Sequence, residues 1–222
     1  MKSLNILIVF VITATFANAQ NKKYIKTMET SITAIFQAEN TEALDATANK
    51  FDRIGQAEAS EWEPYYYASL SHVFKAFKIE DLQAKDKVLD QALVALGRAT
   101  TLSENNSEII ALQGFINMIK IGVDPGTRGQ TLSPKIMADF GKAMKLDPNN
   151  PRANLFMAQM LYGSAQFFGT GVDDACALVD KSMVLFESEK PESTIAPSWG
   201  LHSAKQYKKQ CEAALEKAEN QE

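Results

Sequence analysis

Apolar residues recur at intervals of three and four along almost the whole chain beyond residue 21, and no stretch alternates apolar with polar for the length of a strand. The period predicts helices over 22–38, 42–57, 62–79, 84–102, 107–121, 134–146, 151–165, 172–187 and 198–217, an all-α chain. Proline and short polar residues punctuate the series. In KAMKLDPNNPRANLF, Lys142 to Phe156, Pro148 ends one helix. Asn150 and Pro151 open the next, a capping oxygen followed by a residue whose missing N–H is harmless in a first turn. Ser133 before Pro134 repeats the device, Thr170 with Asp173 reads as a capping box, and Ser198 reads as the start of the last helix. Turns this short fold consecutive helices back on each other as antiparallel pairs.

The pairs repeat. Ala92, Leu96, Ala99, Leu102 and Gly114 have the same offsets as Ile136, Phe140, Ala143, Leu146 and Ala158, and Ala175, Val179, Ser182 and Leu185 give a partial third copy. Small residues at fixed places let neighbouring helices approach, while the large residue between them fills the space. The pattern resembles the tetratricopeptide repeat (TPR), over 60–187 well and over 22–57 weakly, where Leu44, Ala48 and Phe51 keep the spacing imperfectly. It departs where Asn154 stands in place of the repeat's tryptophan and Glu104 in place of a turn proline. The resemblance implies one TPR-like α-solenoid over 20–222, closed by a capping helix over 198–217 with Trp199, Tyr207, Cys211 and Leu215 on its buried stripe. The combination of NPRA with a later FFGTG is similar to exported bacterial TPR-like proteins, which implies an envelope location.

Two surfaces are candidate sites. By the TPR resemblance the concave face carries Tyr66, Glu108, Phe115, Met118, Arg152, Leu155, Gln159 and Tyr162, a largely apolar groove with Arg152 as its main fixed cation, suited to a peptide or helix. The alternative is that the tyrosines pack on the next repeat and the chain's own last helix fills the groove. The second surface follows from repeat length. Phe51, Ala99, Ala143 and Ser182 lie 48, 44 and 39 residues apart, against about 34 in a simple TPR unit. The excess falls between first and second helices, in loops at 122–134 and 163–174 that offer Asp124, Arg128, Gln166, Phe167, Phe168 and Asp173. The alternative for Phe167 and Phe168 is to tuck under the end of their helix pair.

Residues 1–19 change the picture of where the protein works. Lys2, the apolar run LNILIVFVITATF and ANA before Gln20 form a signal peptide, so the mature chain of 203 residues is expected to be periplasmic or secreted. The mature part carries five more acidic than basic residues and has no basic run, which excludes nucleic acid and an anionic membrane as main partners. Export also lets Cys176 and Cys211 form a disulfide, although two buried thiols explain them equally well.

His72 and His202 lack companion ligands at helical spacing, and nucleophile or nucleotide motifs are missing, so no metal, cofactor or catalysis is expected. The function that follows is an exported scaffold binding a protein or peptide by shape. Two others compete with it: a small-molecule binder or enzyme using the loop edge, and a structural subunit of an envelope assembly.

Overall fold

The computed structural model describes residues 22–220, and the leader expected over 1–19 lies outside them. Among the described residues there are nine helices and no strand. They are α1 (22–37), α2 (Thr41–Ala57), α3 (Glu63–Phe77), α4 (Leu82–Leu102), α5 (Ser107–Val123), α6 (Pro125–Leu146), α7 (Pro151–Phe168), α8 (Asp173–Ser188) and α9 (Leu201–Glu219). Asn40, Asp81, Asn106, Asp124 and Asn150 each accept a hydrogen bond from the first turn of the helix that follows, satisfying donors that have no partner inside the helix.

The helices stack as expected for a TPR-like array. Each of α3, α5 and α7 packs on its following helix, and α3 touches α5 as α5 touches α7, so these three form an inner layer. The repeated small and large positions are what the layers close on: Ala92, Leu96, Ala99, Ile136, Phe140, Ala143, Ala158, Ala175, Val179 and Ser182 are all buried. Gly114 shows the steric reason. A Cβ there would sit 2.5 Å from the Phe140 ring, so only glycine lets α5 lie this close to α6.

Three boundaries differ from the periodicity. Helix α6 starts at Pro125, not 134, because Asp124 caps Thr127 N and Pro125 takes the first helical place, the same Asx–Pro device nine residues earlier. Ser133 is therefore no cap; its hydroxyl donates to Gly129 O inside the helix, and Pro134 is an interior proline. Helix α7 runs on to Phe168 and ends at Gly169 in the left-handed region (φ 67°), and α8 follows Val172 without a side-chain cap, so the Thr170–Asp173 box does not form. Helix α9 begins at Leu201, after Gly200 at φ 112°, not at Ser198.

Of the two cysteine alternatives, the bond is the one present. Cys176 on α8 joins Cys211 on α9 with a Cα–Cα separation of 5.5 Å. Closing a loop across 35 residues contributes about 3–4 kcal/mol in the chain-entropy account. It fixes the last helix to the end of the stack.

Candidate functional site

The segment 189–200, between α8 and α9, lies as a strap across the inner layer, and buried polar groups hold it there. Arg152, 2% exposed on α7, is the centre of the attachment. Its Nε donates to Glu108 Oε2 (2.7 Å) and its Nη2 to Glu108 Oε1 (2.9 Å) on α5. The other donors reach the strap: Trp199 O (2.8 Å), Pro197 O (3.0 Å) and the Glu189 carboxylate. Trp199 Nε1 donates to the Tyr66 hydroxyl (3.0 Å), which donates to Glu108 Oε2 (3.3 Å), and Tyr67 donates to Ile195 O (3.0 Å). Burial opposes the charge on Arg152, yet Glu108, by charge and hydrogen bond, and Glu189 hold it protonated above its ordinary range. Burial pushes the Glu108 carboxyl up, against the pull of Arg152.

Where the strap turns into α9, it walls a cleft of about 540 Å³, within the range that takes small molecules and cofactors. The opposite walls come from four helices: Phe36 on α1, Phe74 and Phe77 on α3, Phe115 on α5, and Leu155 and Phe156 on α7. The rings form a continuous lining. Phe36 meets Phe74 edge-on at 5.4 Å, Phe77 meets Phe115 at 6.2 Å, and Phe115 stacks on Phe156 at 4.2 Å with planes 8° apart. Phe156 then lies 6.0 Å from Trp199 of the strap. Phe36 and Phe77 are 47% and 55% exposed, so apolar surface faces water at the mouth. Ser198, His202 and Ser203 supply the polar side chains of the rim.

A larger recess of about 670 Å³ lies on the other side of the Arg152 cluster. Its walls include the α4–α5 and α6–α7 turns, where Asn106 and Asn150 are already engaged as helix caps, and its two deepest charges, Glu108 and Arg152, bond each other. The aromatic cleft, whose surface has no such internal use, is the candidate site.

The residues expected on the concave face divide between these structures. Phe115 and Leu155 line the cleft. Tyr66 is fully buried, Glu108 half-buried and Arg152 buried; Tyr66 and Arg152 bond the strap, and Glu108 bonds the two of them. Gln159 is buried with its amide 3.4 Å from Ser203 Oγ, Tyr162 meets Tyr207 of α9 edge-on, and Met118 packs into the core around Phe140. The groove is thus covered by the chain's own C-terminal part, mainly the strap ahead of the last helix.

The loop edge is largely helical. Arg128 makes a two-pronged pair with Asp86 of α4 (2.6 and 2.8 Å), which holds that carboxyl well below the usual range, and Asp124 is a cap. Gln166 and Asp173 are exposed. Phe167 and Phe168, expected either as a recognition surface or tucked under, point out at 82% and 74% exposure.

Phe36, Phe74, Phe77, Phe156 and His202 are cleft residues that were expected at neither surface, and Trp199, expected on the buried stripe of the last helix, lies in the strap ahead of it. The sequence carried one clue. Phe74 and Phe77 stand three apart at the end of α3, beyond what its core stripe needs.

No family model and no curated protein matches the chain. Among solved structures, the HusA haemophore from Porphyromonas gingivalis matches with 30% sequence identity and a TM-score of 0.75, over 86% of this chain and 93% of that one. A thermophilic TPR protein of Thermus thermophilus matches with 15% identity and a TM-score of 0.44, over 68% of this chain and 72% of that one. With identity at this level and nearly the whole of the haemophore spanned, this chain belongs to the family of the HusA haemophore.

Proposed function

We propose that this protein is an exported carrier that binds a porphyrin, haem above all, in the aromatic cleft and releases it chemically unchanged. The observation that carries the reading is the cleft itself: a planar, apolar, conjugated ligand is what a slot of offset and edge-on phenyl rings with a few polar rim groups is built to hold. Kinship with a protein described as a haemophore supports the choice among planar ligands. The leader over 1–19 supports export, which the N-terminal residue of the native product, expected to be Gln20, would check. A peptide laid along the concave face is the weaker reading, because Tyr66 and Arg152 are already bonded to the strap and Glu108 is bonded to both of them.

Titration of metal-free and ferric protoporphyrin IX into the mature chain tests the proposal. Saturable binding of both is expected, and the double variant Phe36→Glu/Phe77→Glu should weaken it at least ~30-fold, about 2 kcal/mol, by placing carboxylates on the apolar mouth. Both rings are half exposed, so helicity should not change. Unaltered affinity in that variant would remove the cleft from the account.

A further inference from the structure

We propose that Phe167 and Phe168 form a tip that docks on a zwitterionic lipid surface, their rings entering the headgroup layer while the rest of the protein stays in water. They are the two most exposed large apolar side chains among the described residues, at 82% and 74%. Neither packs into the three apolar clusters that make the core. The rings meet each other edge-on at 5.0 Å. None of the cleft residues takes part, so the tip does not depend on the porphyrin reading.

The chain builds the tip locally. Helix α7 ends at Phe168, and Gly169 in the left-handed region turns the backbone away at once, its N–H and that of Thr170 both closing on Ala165 O. A Cβ on Gly163 or Gly169 would meet no atom within 4 Å, so no neighbouring element rises beside the two rings. Ala165 and Val172, on either side of the tip, are buried in the cluster around the Cys176–Cys211 bond. The rings are therefore carried on a fixed base.

Area and charge choose a lipid surface over a protein partner. Two phenylalanine side chains bury about 150–250 Å² each, and a stable protein interface takes about 800 Å² from each partner. The patch does not extend: Gln166, Gly169, Thr170 and Gly171 around the rings are exposed and small or polar. Insertion among headgroups needs no complementary shape, and its strength scales with the apolar area buried. From Ala153 to Val172 the chain carries no charged side chain, so no ion is dragged into the headgroup layer with the rings. The first charges beyond are Asp173 and Asp174, exposed at the start of α8, and they repel an anionic surface. A spanning mode is excluded for the described residues, where no helix is long and apolar enough to cross a membrane.

Co-sedimentation of the mature chain with phosphatidylcholine vesicles tests the tip. Binding should be reversible, with a partition constant of about 10³–10⁴ M⁻¹, no stronger than that of a single myristoyl chain. Phe167→Ser/Phe168→Ser should lower it at least ~10-fold, because two apolar rings no longer enter the lipid. Helicity should not change, since both side chains lie outside the core. Phe168→Trp puts a reporter at the tip: brominated acyl chains should quench its emission and leave that of Trp62 and Trp199 in the natural chain untouched. Replacing part of the phosphatidylcholine by phosphatidylglycerol should weaken binding, because Asp173 and Asp174 stand beside the rings in sequence.

Vesicle binding that survives the serine pair, or an added tryptophan that brominated lipid fails to quench, would overturn the assignment. Absence of binding by the natural chain at millimolar lipid would do the same. If sedimentation velocity without lipid shows the natural chain pairing and the serine variant monomeric, a second copy covers the tip and the lipid assignment falls.

Discussion

Replacing Arg152 with methionine is expected to lower the unfolding free energy by about 3–5 kcal/mol, the cost of breaking a buried ion pair from one side. The change leaves the Glu108 and Glu189 carboxylates without the cation they share, and the Trp199 and Pro197 carbonyls lose their donor at the same time. Urea denaturation followed by helicity measures the effect. Arg152→Lys should recover little of it, since a single ammonium cannot bridge two carboxylates and two carbonyls as the five guanidinium donors do. Arg152→Met/Glu108→Gln should recover part, because one stranded charge is removed with the cation. Porphyrin affinity should fall as well, since the strap carries the Trp199 wall of the cleft. A loss below ~1 kcal/mol would mean that the strap is held by packing alone.

The second large effect is expected at Phe156. This ring is 2% exposed, stacks on Phe115, and stands 6.0 Å from both Phe140 of the core and Trp199 of the strap. It is where the repeat core becomes the floor of the cleft. Phe156→Ala should cost about 3–5 kcal/mol through lost burial and the cavity left behind. Phe156→Leu, which keeps most of the volume, should cost markedly less. The two variants also differ in binding: alanine removes the support under Phe115 and should weaken porphyrin capture beyond what leucine does. Equal stability of the natural and alanine forms would show that the aromatic lining is not continuous with the core.

Helices and repeats were legible because their determinants are local or recur at fixed offsets. Ala99 and Ala143, or Leu96 and Phe140, announce their places by spacing, and each is buried where that spacing put it. The start of α6 was hidden by composition. GVDPGTRGQTLSP has the glycines and prolines of a loop, yet Arg128 finds Asp86 forty-two positions earlier, and the ion pair holds those residues against α4 as a helix.

The strap was hidden for a stronger reason. EKPESTIAPSWG has no period, and what shapes it are bonds with Tyr67, Tyr66 and Arg152, between 37 and 133 positions away along the chain. Arg152 and Tyr66 were expected on an open concave groove, Arg152 as its main cation. They are central residues in the structure, but the partner they hold is the chain itself. The cleft escaped because its walls come from four helices and the strap, so no single window of sequence contains more than two of its rings.

The central claim is that a porphyrin sits against the strap, in the slot between Trp199 and the phenylalanines. The chain has two tryptophans, so Trp62→Phe leaves Trp199 as the single reporter, and tryptophan emission overlaps porphyrin absorption. Titrating this variant with metal-free protoporphyrin IX should quench Trp199 emission almost completely, with saturation at one porphyrin per chain. Porphyrin that binds while Trp199 emission stays unchanged, or quenching that never saturates, would contradict the account.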